Sequence, residues 1–319
     1  MPERKPKVSV CIPAYKQVEY LRKTLSTLLT QDFNDYELIV SDDSPDDSVE
    51  RLLSEFDFGD KLRYSRNSPA LGSPGNWNAA MLLATGEYVK IMHHDDFFTS
   101  ESSLGKFVKL LDNNPGVSLA FSGTVIDLLA MRTKKIHSCS NKQFSKMISH
   151  PDRLYFSNYI GAPSATIVRN GSGILFDTQL KWLVDVDWYM QLIYAGSGVV
   201  FTKEPLVCTV HGAEGQITQS VMDDREIQIR EHAYLLEKLK DKGIKLKKYS
   251  LLFQLLFRKY GIDDLSALRK IVSVSDELLP FYNGVFESKN SAIFFKKIIF
   301  WLNKKSLNDH LYTLKTYLK

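Results

Sequence analysis

Carboxylates capable of acid–base or metal chemistry gather at Asp42-Asp43, at Asp95-Asp96, and at Asp185 with Asp187. Adjacent carboxylates in an apolar neighbourhood repel each other, so they persist where a cation, hydrogen-bond donors or solvent compensates them. A divalent metal with oxygen ligands is the economical explanation for at least one pair. The plainer alternative, usual for an arbitrary Asp-Asp, is a solvated turn or helix cap. His93 and His94 directly precede Asp95 and could be ligands too, but two histidines without zinc-site spacing are more often ordinary strand-end residues, and the sequence assigns neither.

These groups need elements to hold them. Residues 8–12 form a β-branched apolar run stopped by Pro13, and helical spacing of Leu21, Leu25 and Leu28 follows over 18–29. The pattern recurs: an apolar run at 36–40, a polar turn at 41–47, then Val49, Leu52 and Leu53 opening a helix. A third run near Leu62 leads into the loop Leu71-Gly72-Ser73-Pro74-Gly75, a helix over 77–84 and a strand at 88–92. Such alternation predicts a parallel sheet with crossover helices. Ligands of open α/β sheets sit beyond the carboxyl ends of the strands, so the loops holding Tyr15, Asp43 and Asp96 should converge on one crevice.

Further on, the spacing predicts a helix over 104–111, a strand over 117–121, a polar surface excursion over 134–146 and a strand over 165–168. Asp185 and Asp187 precede a helix predicted over 188–194, and 199–210 holds two strand-like pieces. From about residue 223 long helical patterns rich in Leu, Lys and Phe take over, which puts a boundary near 221. The run Ile293-Phe294-Phe295-Lys296-Lys297-Ile298-Ile299-Phe300-Trp301 mixes bulky apolar residues with Lys, as a helix on a membrane surface does. A helix packed on its own protein would look much the same.

Bulk composition narrows the function. With 319 residues, 44% of them hydrophobic, the chain can bury one large α/β core and a smaller second unit. Lys+Arg 41 against Asp+Glu 37 gives a net charge of +4 with no arginine-rich block, so nucleic acid is not an expected partner. Cys11, Cys139 and Cys208 share no short spacing, which fits a reducing cytoplasm. The first residues lack the apolar stretch of a signal peptide, and no run of about 18 apolar residues occurs to span a membrane.

The ordered set Val8-Ser9-Val10-Cys11-Ile12-Pro13-Ala14-Tyr15, Tyr36-Glu37-Leu38-Ile39-Val40-Ser41-Asp42-Asp43-Ser44, Gly75-Asn76-Trp77-Asn78-Ala79-Ala80, Ala84-Thr85-Gly86-Glu87-Tyr88 and Asp95-Asp96 closely resembles the nucleotide half of family-2 glycosyltransferases of the GT-A fold. The resemblance covers about residues 7–218. It implies an α/β fold with a nucleotide-binding mixed sheet flanked by helices, a transferase domain over 1–220 and a helical C-terminal region over 221–319. Within that domain it implies a nucleotide half at about 7–98 and an acceptor half at 99–220.

Position by position, the resemblance gives Pro13 and Tyr15 to the loop packing on the base, where an aromatic ring offers stacking area. Asp43 falls where the family accepts a hydrogen bond from the base, as a pure acceptor can. Asn78 falls near the nucleotide; a first-turn Asn satisfying backbone groups is the competing role. Asp95 lies by the ribose and metal, and Asp96 is the metal ligand, with Mn2+ or Mg2+ as cofactor. Asp185 aligns with the catalytic base, although Val184 stands where a Glu is usual and Asp187 is a competitor with a capping or surface role. His211 falls at the end of a late strand, where a His can complete the metal site.

The reaction so implied is a single inverting displacement from a nucleotide-sugar donor, a UDP-sugar, onto a glycan or lipid-linked saccharide hydroxyl, with peripheral membrane contact through the C-terminal helices. A sugar-nucleotide pyrophosphorylase would need a Gly-rich basic triphosphate loop after the first strand, which Pro13-Ala14-Tyr15-Lys16-Gln17 does not supply. A non-catalytic nucleotide-sugar or glycan-binding module would have no use for a base such as Asp185. A dinucleotide-dependent oxidoreductase is disfavoured by the lack of Gly-x-Gly-x-x-Gly after the first strand.

Overall fold

The sheet is built outward from β1 (Val8–Ala14), buried along its whole length. A strand covered on both faces reads as a near-continuous apolar run, and β2 (Tyr36–Asp42) is buried throughout in the same way. The structure is a computed structural model that describes residues 5–196, 198–212 and 221–289. Among them β1 pairs in parallel with β2 and with β4 (Tyr88–Ile91), and β2 with β3 (Leu62–Arg66). The crossovers are α1 (Val18–Leu29), which buries Leu21, Leu25 and Leu28, α2 (Ser48–Leu53) and α3 (Gly75–Leu82).

Beyond β4 the parallel pattern ends. β5 (Phe97–Phe98) and α4 (Ser103–Asp112) lead to β6 (Val117–Leu128), β7 (Thr133–His137) and α5 (Asn141–Ser149), after which β8 (Thr166–Arg169) returns antiparallel between β4 and β6. α6 (Val184–Tyr194) precedes β9 (Gly198–His211), which runs parallel to β6. The order is β3-β2-β1-β4-β8-β6-β9-β5, with β7 on β6. The sheet is thus mixed, as the family resemblance implies: the parallel pattern that the alternation over 8–92 predicts holds for β1 to β4, and antiparallel strands enter beyond it. Apolar runs report burial on both faces and carry no strand direction.

Two local expectations change as well. The stretch 134–146 lies largely exposed, as a surface excursion should, but is folded as strand and helix, and α5 begins in a capping box in which Ser140 and Gln143 serve each other's backbone. The two pieces expected over 199–210 are one strand, β9, whose register against β6 shifts around Gly123. Such a bulge bends a strand without ending it.

Contacts divide the chain into two compact units, one holding 5–151 and 159–212 of the described residues, the other 152–158 and 221–289. The second contains α7 (Arg225–Leu239), α8 (Ser250–Lys259), α9 (Leu265–Arg269) and α10 (Leu279–Lys289). Its core joins the Tyr155 hydroxyl to the His232 carbonyl at 2.7 Å and the Tyr249 hydroxyl to Asp152 at 2.9 Å. Phe253, Phe257 and Tyr282 pack around each other beside them. No described helix is long and apolar enough to cross a membrane. The run at 293–301 lies outside the described residues.

Candidate active site

Asp42 and Asp43 end β2 and face different partners. Asp42, fully buried, accepts from the Ser44 backbone at 2.8 Å and from the Tyr64 hydroxyl at 3.0 Å. Burial and that bond push the Tyr64 phenol up to about 12. Asp43 accepts from the Asn67 amide at 2.8 Å, Leu71 N at 3.0 Å and Gly72 N at 2.7 Å, which ties the β3–α3 loop to the end of β2. A carboxylate has about four lone-pair directions, so one remains for a ligand N–H.

Asn67 and Asn76 were not singled out in the sequence, yet they complete this corner. Asn76 donates to the Ala14 carbonyl at 3.0 Å and accepts from Asn67 at 3.0 Å. After β1, Lys16 and Gln17 hold left-handed φ values of 54° and 49°, and Lys16 N donates to Ser44 Oγ at 2.7 Å. Surroundings must over-determine such backbone for it to persist. The turn leaves the Tyr15 ring 48% exposed. Pro13 is buried within β1, and its carbonyl lies 3.2 Å from His94 Nδ1.

At the carboxyl end of β4, ligand-capable atoms of His93, Asp95 and Asp96 lie within 4.8 Å of one another. Asp96 is buried; its carboxyl is raised well above the usual range by desolvation and by Asp95, against hydrogen bonds from Ser164 and Val210 N and the charge of Lys90. Lys90 is fully buried, donates to Ile91 O at 2.8 Å and to Ser164 O, and is pulled down by burial to about 7, with Asp96 opposing. His93 N donates to Ser164 Oγ at 2.9 Å, and its ring packs 4.5 Å from Trp77.

The buried Nε2 of His93 has no hydrogen-bond partner among the described residues, and burial draws the imidazole down to about 4. A neutral imidazole nitrogen without a partner, beside two like-charged carboxylates, is a donor set that fits a divalent cation. Of the two roles the sequence leaves open for His93, this geometry fits that of a ligand.

β5 follows Asp96 directly and pairs antiparallel with β9, Phe97 opposite Cys208. That pairing brings the Val210 backbone to Asp96 and ends β9 at half-buried His211, whose imidazole is lowered by burial while Asp95 opposes. Asp185 and Asp187 lie in the first turn of α6 rather than before it, because the helix starts at buried Val184. Asp187 is buried and accepts from Gln191 at 2.6 Å, one turn along; it is neither a cap nor a surface residue. Asp185 is half-buried and accepts from Val186 N at 2.8 Å.

Tyr189 lies on α6, one turn after Asp185. Fully buried, it donates to Gly161 O at 3.0 Å, and burial raises its phenol well above the usual range, with Asp185 and Asp96 both adding. Asp185 and Asp96 thus both oppose ionisation of this phenol, one from α6 and one from the end of β4. A ladder of rings joins these elements: Trp77 meets Phe176 at 5.1 Å, and Phe176 meets Trp188 at 4.4 Å. Asn78 pins it, donating to Phe176 O at 2.8 Å and accepting from Phe176 N at 2.9 Å. Its amide satisfies backbone groups, the competing role for a first-turn Asn.

A parallel nucleotide-type half continued by a mixed half, with helices on both, is the GT-A architecture. The sequence profile described as glycosyl transferase family 2 matches residues 9–168, half of the chain, and the chain belongs to that family of sugar-transferring enzymes. Among its relatives, the GalNAc(5)-diNAcBac-PP-undecaprenol beta-1,3-glucosyltransferase of Campylobacter jejuni is 30% identical over 125 residues, 38% of this chain and 39% of that one. Mycobacterial relatives match over more of this chain, which spans 74% of the length of one and 62% of another.

Among solved structures, S. aureus TarS 1-349 in complex with UDP-GlcNAc superposes with a TM-score of 0.58 at 17% identity, covering 98% of this chain and 91% of that one. The mannosyltransferase PcManGT of Pyrobaculum calidifontis, in complex with GDP-Man and Mn2+, gives 0.53 at 17% identity, covering 99% and 87%. At these identities the likeness is one of fold.

Proposed function

We propose that this chain is an inverting, divalent-metal-dependent glycosyltransferase that moves a sugar from a UDP-sugar to a hydroxyl of a glycan or lipid-linked saccharide. The observation that carries the reading is the His93–Asp95–Asp96 cluster at the end of β4, whose ligand-capable atoms lie within 4.8 Å of one another. The fold neighbours add support, one holding UDP-GlcNAc and the other GDP-Man with Mn2+. The undecaprenol-linked acceptor in the Campylobacter relative's name supports a lipid-linked saccharide. In this reading the transferase domain is 1–220 and the helical region 221–319.

Each side chain has one task. Tyr15 offers its exposed ring to the base beside Pro13, and Asp43 uses its remaining acceptor direction on the uracil N–H. Asp95, Asp96 and His93 hold the cation, with His211 closing the site from β9. When bound, the cation neutralises the diphosphate of the departing nucleotide. Asp185 takes the proton of the acceptor hydroxyl as general base while that oxygen attacks the anomeric carbon and the bond to the diphosphate breaks. Tyr189, through Gly161, and the ring ladder hold α6 in place.

Asp185→Asn separates binding from chemistry. Turnover should fall about 10²–10⁴-fold, while stabilisation by UDP and Mn2+, read by thermal shift, stays at the wild-type level. Undiminished acceptor-dependent transfer removes Asp185 as the base. Asp96→Asn, by contrast, should lose the metal-dependent thermal shift.

A further inference from the structure

β6 continues past its pairing with β8, turns through Leu129–Met131 and returns as β7, which among the described residues pairs with β6 alone. Every residue from 129 to 136 is exposed: Leu129 at 38%, Met131 at 68% and Ile136 at 70% stand among Arg132, Lys134 and Lys135, with no acid in the run. Asp127, on β6, lies 3.7 Å from Lys134 Nζ. Lysines on an edge strand discourage pairing with another chain, which accounts for the charges but not for three large apolar side chains left in water.

We propose that this hairpin tip docks on an anionic lipid bilayer. Apolar side chains flanked by cations are what an anionic membrane surface binds, the former entering the headgroup boundary and the latter meeting lipid phosphates. An acidic protein would match the charges, but a tip of eight residues falls well short of the roughly 20–30 residues a side of a stable protein interface. The tip adjoins the site, because Gly212, next after His211, lies against Ala130 and Leu129. Docking there would bring a lipid-borne acceptor to the end of β9. That consequence rests on the acceptor proposed above, whereas the docking itself does not.

The full chain carrying Met131→Cys, labelled with an environment-sensitive fluorophore, tests the proposal directly, since Cys11, Cys139 and Cys208 are buried. Emission should shift to the blue with vesicles containing phosphatidylglycerol and not with pure phosphatidylcholine, and high salt should weaken the shift. Met131→Ser with Ile136→Ser in the otherwise native chain should lower vesicle partition on the order of tenfold or more. Sedimentation of the chain with the probe still in water would overturn the proposal, as would a shift indifferent to lipid charge. A shift with soluble polyglutamate but not with vesicles would assign the tip to an acidic protein instead. Stabilisation by UDP and Mn2+ should match wild type in these variants. Its absence from the wild type as well would remove the donor reading and leave the docking surface standing.

Discussion

If the proposed cation binds at the end of β4, the nitrogen of His93 bears on which cation that is. Imidazole nitrogen suits transition metals, whereas Mg2+ prefers an all-oxygen shell, so the mixed set of His93, Asp95 and Asp96 should prefer Mn2+. His93→Gln is expected to weaken Mn2+ binding at least about tenfold, measured by titration without any substrate, and to alter Mg2+ binding less. Pulsed EPR of the Mn2+-loaded wild type should show nitrogen coupling that this variant loses; coupling that survives places the nitrogen ligand elsewhere, His211 first. Asp95 and Asp96 were legible because a charged pair directly follows an apolar strand. The role of His93 was not, because an unpartnered nitrogen arises from the packing of its ring on Trp77 and the burial of Nε2.

At the scale of elements, α3 and α6 meet through aromatic rings and not through a shared sequence pattern. Asn78 therefore reads as a nucleotide neighbour by motif and as the pin of Phe176 by contact. α7 carries a second consequence that periodicity conceals. His232 is buried, shares Nδ1 with the Gln228 carbonyl at 2.8 Å, stands 5.5 Å from the Tyr155 ring and is drawn down by burial to about 4. Because its folded value lies below its unfolded one, the unfolded chain binds the extra proton. Its contribution is complete above about pH 6.5 and is lost as pH falls toward 4, by up to about 3 kcal/mol. Urea midpoints at pH 7.5 and pH 5 (assay values of about these sizes) should differ less in His232→Leu than in wild type; an equal difference would assign the acid sensitivity to other groups.

Across the whole first unit, the pairing of β6 with β9 decides whether His211 and the Val210 backbone reach the β4 cluster. That pairing passes through the register shift at Gly123, where a Cβ would stand 2.5 Å from Lys203 O and 3.2 Å from Glu204 O. Backbone cannot yield as a side-chain tip can, so Gly123→Ala should destabilise the chain by about 2 kcal/mol or more. Thermal melts with and without UDP and Mn2+ would also show reduced ligand stabilisation; an unchanged response means that β9 is not needed for binding. The sequence by itself determined the buried strands, the crossover helices and the carboxylates at strand ends, because burial and turn chemistry leave a local imprint on residue order. Tertiary structure alone decided strand direction beyond β4, the burial of Asp187, the unpartnered His93 nitrogen and the burial of the Tyr189 hydroxyl against Gly161 O. Those features depend on neighbours far apart along the chain, and local residue patterns carry no record of such pairings.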